Sequence, residues 1–193
     1  MANPPSPLLL ALREGTHASH KRLEQRLPFF SEHFDLNAYR QLLAAYLGFH
    51  APLELALADH QPTQRHKAPA LRHDLRALGL SDAELAALPL CGTLPAIDDE
   101  ASALGVMYVL EGSTLGGQVL KRAMAERLGI DSDSGAAFLD VYGPLTGAHW
   151  RSFLDRLAQA ALGTAAEART VQAAISTFDC FEQWLAARRV LAH

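Results

Sequence analysis

The chain has 193 residues, of which 49% are hydrophobic and 20% charged, and its formal net charge is -4. This is the balance of an ordinary soluble domain, and it argues against a general nucleic-acid surface, which needs a clustered basic excess. The apolar segment Leu8–Leu12 is too short for a signal-peptide core. Cys91 and Cys180 lack metal-site spacing, so we expect reduced thiols in a cytoplasmic protein. We expect one domain over 1–193, with a short mobile tail at 1–5.

Start and stop signals divide the first part of the chain into helices. Ser6-Pro7 combines an N-cap residue with proline at the first helical position, and Pro28 ends the helix that follows. A second helix is predicted to begin near Asp35–Asn37 and to continue to His60, with a kink at Pro52. These signals predict two long amphipathic helices at the start of the chain.

The remaining segments are also helical in pattern. A short helix ends at Gly79, and two sequences read as capping boxes, Ser81–Glu84 and Thr164–Glu167. An apolar stripe from Thr146 predicts a further helix, closed by Gly163. Since no segment alternates convincingly with period two, the sequence predicts an all-α fold with about seven to nine helices.

The stretch Ala103–Leu128 is helical in pattern but unusually rich in glycine. Each glycine inside a helix costs roughly 1 kcal/mol relative to alanine. At about 100° per residue, Gly105, Gly112 and Gly116 fall within roughly 40° of one another and form one bare strip. Either a flat apolar ligand or another helix lies against such a strip. A membrane span is excluded, because the apolar run Ala103–Leu110 is far shorter than the roughly 20 residues required.

His20 is the most distinctive histidine of the first helix. It falls near Leu12 and Leu23 on the helical wheel, so we expect it to face the core. Glu24 follows four residues later, within reach of the second ring nitrogen, as in carboxylates that orient a metal-bound imidazole. Arg13 lies two turns earlier and offers a cation to a ligand carboxylate. The alternative is an ordinary core histidine with a helical neighbour.

Two segments carry a resemblance to a known family. Leu12–Glu24 resembles the first-helix motif of haem oxygenases, and Glu111–Gln118 resembles their distal helix, in the version most similar to bacterial members associated with bacteriophytochromes. The resemblance implies a single-domain helical bundle with haem (iron protoporphyrin IX) between the first helix and a kinked distal helix. It implies cleavage of haem by O2 and an external electron donor to biliverdin, CO and ferrous iron, so that haem is both cofactor and substrate.

On the proximal side, the resemblance makes His20 the axial iron ligand and Glu24 its orienting partner. It makes Arg13 a cation on the propionate side of the haem. Family members also carry a tyrosine before the first distal glycine and basic residues on a late helix. Tyr108 and Arg151 are the nearest matches, each about one residue out of register.

On the distal side, Gly112 and Gly116 become the glycines whose missing side chains let the backbone lie over the iron, and Gly117 is expected to contact the haem as well. Ser113 departs from the animal enzymes, which have a carboxylate at this position to organise distal water. Here only a hydroxyl is available.

The resemblance also implies partners and leaves alternatives open. An electron-donor protein such as a ferredoxin or reductase is expected, with a bacteriophytochrome as a bilin acceptor, but no nucleic acid and no membrane. The biological role is either bilin supply or iron release. One alternative is a non-enzymatic haem carrier or sensor on the same fold. Another is a thiaminase-like enzyme, which needs a nucleophilic cysteine, whereas Cys180 reads as a core residue of the last helix.

Overall fold

The computed structural model describes residues 5–160 and 162–192, and the regular structure in these ranges is entirely helical. Most of the expected N-terminal tail, residues 1–4, lies outside the described residues. The described ranges contain seven α-helices: α1 Pro7–Arg26, α2 Leu36–Ala56, α3 Ala68–Ala77, α4 Asp82–Ala86, α5 Glu100–Leu128, α6 Thr146–Gln159 and α7 Thr164–Ala187. Four short 3₁₀ turns connect them: Pro28–Phe30, Thr63–Arg65, Phe138–Asp140 and Gly143–Leu145.

Side-chain caps set several helix starts. The Ser6 hydroxyl accepts a hydrogen bond from the Leu9 amide at 3.3 Å, and the Asp35 carboxylate caps α2. The capping box predicted at Ser81–Glu84 is confirmed. Helix α5 begins at a second box, formed by Asp99 with the third residue of the helix, and it ends where Gly129 adopts a left-handed φ of 68°.

Two predicted boundaries are wrong. The capping box expected at Thr164–Glu167 does not form: the extended residue before α7 is Gly163, so Thr164 is already helical and cannot cap. Helix α2 ends at Ala56 rather than at His60, because its last turn closes tightly at that point.

Pro52 lies inside α2, and a neighbouring loop compensates for it. Proline lacks an N–H, so the carbonyl of Gly48 one turn earlier loses its helical partner. That carbonyl accepts instead from the Cys91 amide at 2.8 Å. A β-carbon at Gly48 would lie 2.5 Å from the carbonyl oxygen of Pro89, so glycine is what lets the loop come close enough.

Helix α7 is the scaffold on which both predicted site helices rest. It packs against α1 and α5. A β-carbon at Gly15 of α1 would lie 2.5 Å from Val171 Cγ1, and one at Gly105 of α5 would lie 2.1 Å from the Thr170 carbonyl oxygen. Two glycines therefore allow two helices to approach the same stretch of α7.

Ion pairs add to the contact between α1 and α7. Arg22 Nε and Arg26 Nη1 donate to the buried carboxylate of Glu182 at 2.6 and 2.7 Å, and Arg22 also donates to Asp179 at 2.7 Å. Burial alone would raise the pKa of Glu182, but the hydrogen bonds from the two arginines hold that pKa below its ordinary value. The carboxylate is therefore ionised at neutral pH and fixes one end of α1.

The core consists of two apolar clusters, one nearer Tyr39 and Met124 and the other around Phe49 and Met107. Within the described residues, no helix has the length and apolar character needed to cross a membrane.

Candidate functional site

The glycine-rich part of α5 is one uninterrupted helix whose surroundings change along its length. Gly105 is covered by α7, so the helix-packing interpretation is correct there. Gly112 has Trp150 as its nearest neighbour, 3.8 Å from where a β-carbon would lie, and Gly116 has no atom within 4 Å of that position among the described residues. The strip of glycines therefore lies against another helix at Gly105, and the open face begins only where α7 leaves α5.

The open face of α5 is apolar. Leu115 is 43% exposed and Val119 is 67% exposed, and both fall on the same side of the helix as Gly112 and Gly116. One turn earlier lies Tyr108, half-buried, with its ring centroid 6.0 Å from that of Trp150. Exposed apolar side chains beside bare backbone are typical of a surface that binds a flat apolar ligand.

A second side of the same helical segment, rotated by about 100° from Gly112, is buried and polar. Glu111 is 0% exposed, and its carboxylate accepts from Arg65 Nη1 at 2.5 Å, from Lys67 Nζ at 2.9 Å and from the Tyr142 hydroxyl at 2.9 and 3.1 Å. Arg65 also reaches the carbonyl of His149, whose ring stacks on that of Tyr142 at 4.1 Å. A fully buried carboxylate is thus surrounded by hydrogen-bond donors from two other segments.

Burial changes the acidity of two of these donors. It lowers the pKa of the Lys67 ammonium, while the Glu111 carboxylate opposes that shift. Burial and Glu111 together raise the pKa of the Tyr142 phenol, so its O–H remains a donor. The sequence indicates Glu111 as unusual, because a carboxylate beside a long apolar run needs buried partners. It gives no signal for Arg65, Lys67 or Tyr142, which are distant in the chain.

Gly117 lies on this buried side. The resemblance places it beside the haem, whereas a β-carbon there would lie 2.4 Å from the Leu139 carbonyl oxygen. Close packing against the Phe138–Asp140 turn is sufficient to account for this glycine. Just beyond it, Gln118 and Lys121 both donate to the Asp140 carboxylate, so the same turn is fastened to α5 twice.

Ser113 is exposed, and its hydroxyl is already engaged. It donates to the carbonyl of Leu110 within α5 at 2.8 Å. Ser113 therefore directs its polar atom at its own helix. It is not aimed at the open face.

His20 differs from the expectation of a core-facing residue. Its side chain is exposed, with its ring centroid 5.6 Å from that of Phe178 on α7. The buried stripe of α1 runs through Leu12, Ser19 and Leu23, and His20 lies at its border, because neighbouring residues are rotated by about 100°. The imidazole is supported on one side by α7 and accessible on the other.

The remaining predicted residues lie at the surface. Glu24 is exposed, and no hydrogen bond joins it to His20, although both belong to the described part of the chain. Arg13 and Arg151 are exposed as well, with the Arg151 guanidinium folded back towards Gly147. The structure thus brings Tyr108 and the two open glycines onto one face of α5. His20 lies on α1, and α7 packs against both α1 and α5.

Cys180 lies beside Phe181 in the last helix and is half-buried. Burial raises the pKa of its thiol, with Cys91 and Asp179 contributing. A raised pKa reduces the thiolate fraction, so this cysteine lacks the activation that a nucleophile requires.

Comparison with known proteins assigns this arrangement to a family. The sequence profile described as Heme oxygenase matches residues 6–187. A heme oxygenase of Xanthomonas campestris pv. campestris is 34% identical over 165 residues, which cover 80% of this chain and 93% of that protein.

Solved structures show the same fold. The heme oxygenase of Leptospira interrogans aligns with a TM-score of 0.76 at 17% identity, over 94% of this chain and 100% of that one. Heme oxygenase-1 of Synechocystis sp. PCC6803, in complex with heme, aligns with a TM-score of 0.74 at 18% identity, over 94% of this chain and 92% of that one. The NO- and CO-bound heme oxygenase of Neisseria meningitidis aligns with a TM-score of 0.72 at 25% identity, over 96% of this chain and 93% of that one. The profile match over nearly the whole chain, and the all-helical fold that carries it, show that this chain belongs to the heme oxygenase family and is a haem-degrading enzyme.

Proposed function

We propose that the enzyme cleaves the haem macrocycle with O2 and electrons from an external donor, releasing biliverdin, CO and ferrous iron. The observation that carries the proposal is the open apolar face at Gly112 and Gly116, combined with family membership. The missing side chains let a planar ring and a small diatomic molecule approach the α5 backbone closely. The haem is then the substrate as well as the group that activates oxygen.

His20 is the proposed iron ligand. Its exposed ring is free to reach a metal, and the neighbouring Phe178 restricts its rotation. Imidazole nitrogen is a common ligand of haem iron. Glu24, one turn further along the same helix, is the proposed carboxylate that orients the ring through its second nitrogen, which requires only a side-chain rotation at an exposed position.

The proposed distal side depends on backbone and water. Gly112 and Gly116 leave room above the iron, and Ser113 has no carboxylate to offer. We assign Arg13 to the haem propionates, because a guanidinium pairs well with a carboxylate. Tyr108 and Arg151 are the proposed additional contacts at the haem edge.

The reaction consumes electrons, so an electron-donor protein such as a ferredoxin or a reductase is a proposed partner. The similarity of Glu111–Gln118 to bacterial enzymes associated with bacteriophytochromes favours bilin supply in the cytoplasm, with iron release as the second possibility. In the first case a bacteriophytochrome accepts the product.

One experiment tests the proposal. Haemin is titrated into the purified chain while the Soret band is recorded, and ascorbate or a ferredoxin–reductase pair is then added in air. We expect a saturable Soret shift, followed by loss of the band, release of CO and appearance of biliverdin, whose isomer is identified by chromatography. A stable Soret band with no bilin would instead identify a haem carrier or sensor on this fold.

A further inference from the structure

We infer that Glu111 is a positioning residue for the haem-facing side of α5, because its buried carboxylate fixes where Gly112 lies and so controls how the ring is presented for cleavage. The inference rests on the proposed function, since it concerns the same open face. It adds a residue that the motif resemblance leaves without a role.

The open side of α5 has few contacts that could fix its position. No atom lies within 4 Å of a β-carbon position at Gly116 in the described part of the chain, and Gly112 meets only Trp150 at van der Waals distance. Helix position is normally set by interdigitating side chains. The open side has no such side chains at its two glycines, so its position depends on contacts that the buried side makes.

The buried side of α5 is fixed directly beside Gly112. Glu111 is the preceding residue, and donors from two separate segments meet its carboxylate. Arg65 and Lys67 belong to the connection between α2 and α3, whereas Tyr142 belongs to the connection between α5 and α6. Because the donors come from two different segments, these hydrogen bonds resist both rotation and translation of the helix at this point.

The cluster around Glu111 is ionic rather than apolar. Taking charged groups out of water is costly, and well-packed apolar side chains often give equal or greater stability than a buried ion pair. A network of directional hydrogen bonds, by contrast, selects one geometry. We therefore attribute the buried Glu111 beside the two glycines to a need for one fixed helix position, rather than to a gain in stability.

Glu54 provides a matched control. This buried carboxylate also holds the segment that contains Lys67, because it accepts from the backbone N–H groups of Lys67 at 2.5 Å and of Ala68 at 3.2 Å. Among the described residues, none of its hydrogen bonds reaches α5. Replacing Glu54 therefore loosens the same segment without removing a bond to the distal helix.

The experiment compares Glu111→Gln, Tyr142→Phe and Glu54→Gln in the full chain loaded with haem. It records haem affinity from the Soret titration, the C–O stretching frequency of the ferrous CO complex, the biliverdin isomer distribution and the rate of biliverdin formation. We expect Glu111→Gln to bind haem with near wild-type affinity, to shift the C–O frequency or the isomer distribution, and to lose about tenfold to a hundredfold in rate. Tyr142→Phe should shift the same readouts by less.

Glu54→Gln should lower the melting temperature and change the C–O frequency and the isomer distribution clearly less than Glu111→Gln, because it acts on α5 only indirectly, through the segment that contains Lys67. The inference is overturned if Tyr142→Phe and Glu111→Gln both keep the wild-type frequency and isomers, or if Glu54→Gln changes them as much. If Glu111→Gln does not fold, the comparison of Tyr142→Phe with Glu54→Gln tests the inference. Tyr142→Phe must then change the C–O frequency or the isomer distribution more than Glu54→Gln does. If the wild type binds haem but forms no biliverdin, the proposed function fails instead, and the C–O frequencies alone still decide the role of Glu111.

Discussion

At the residue scale, the proposed roles of His20 and the two open glycines depend on their accessibility. His20 stands at the border of the buried stripe of α1, supported by Phe178, and Gly112 and Gly116 present bare backbone. Exposed positions such as these contribute little to stability, so their substitution separates function from folding.

His20→Ala should fold normally, with a change in unfolding free energy below about 0.5 kcal/mol, because the side chain is exposed. It should lose the spectrum of histidine-ligated haem and the formation of biliverdin. Urea unfolding and the haemin titration measure the two effects, and added imidazole is expected to restore part of the spectrum. Normal bilin formation by this variant would eliminate His20 as the ligand.

Gly116→Leu should abolish most of the activity, whereas Ser113→Ala should change it little. The leucine enters open space on a helix, where it is more favourable than glycine by roughly 1 kcal/mol, yet it occupies the haem face. We therefore expect a protein of equal or greater stability that forms little biliverdin. Ser113→Ala loses one hydrogen bond to its own helix and should change activity by less than about tenfold, or 1.4 kcal/mol.

Biliverdin yield and the unfolding midpoint are measured for both variants side by side. Loss of bilin formation in Ser113→Ala, with retention in Gly116→Leu, would contradict the proposed distal side.

At the element scale, α5 uses the same side for two different purposes. Around Gly105 that side is packed against α7, and around Gly116 it is open, while the Glu111 side stays buried through the glycine segment. A single helix therefore carries one structural glycine and two glycines of the proposed site. Their substitutions should behave differently.

Gly105→Val should destabilise the protein, because its β-carbon would lie 2.1 Å from the Thr170 carbonyl oxygen, a backbone atom that cannot move away easily. Overpacking of this kind costs about 1–3 kcal/mol, and backbone clashes lie at the upper end. Urea unfolding measures the loss, with Gly116→Ala as the control in the same helix. Equal stability of the two variants would show that α5 and α7 can separate without cost.

At the scale of the whole molecule, α7 joins the two helices that carry the proposed site. Glu182 receives Arg22 and Arg26 from α1, and Arg169 of α7 donates to Asp99 at the start of α5 at 2.8 Å. Both contacts depend on an ionised carboxylate. Acidification should therefore loosen the molecule at the contacts that hold the site helices together.

Hydrogen bonds from Ser102, with a smaller contribution from Arg169, lower the pKa of Asp99 from 3.8 to about 2. Because the folded-state pKa is the lower one, the stabilisation is complete above the unfolded value and is lost as pH falls through the folded value. Asp99→Asn keeps a good capping residue but removes the charge. We expect its stability to fall less steeply than that of the wild type between pH 4 and pH 2, as measured by urea unfolding. Parallel curves for the two proteins would show that this carboxylate does not contribute.

The sequence by itself determined the local features. Capping side chains, prolines and apolar periodicity depend on near neighbours, so the all-α class and most helix starts could be predicted, including the box at Ser81–Glu84. The two motifs also identified the family. Local prediction failed at Thr164, because the extended residue before α7 is Gly163 and the N-cap position therefore lies one residue earlier than predicted.

Only the tertiary structure decided which side of each helix is covered. Gly105, Gly116 and Gly117 look alike in the sequence, yet one meets α7, one faces open space and one meets Leu139. The partners of Glu111 come from segments far away in the chain, and no local pattern records them. Burial and hydrogen-bond satisfaction are properties of the packed chain, so the polar cluster around Glu111 becomes visible only when the helices are assembled.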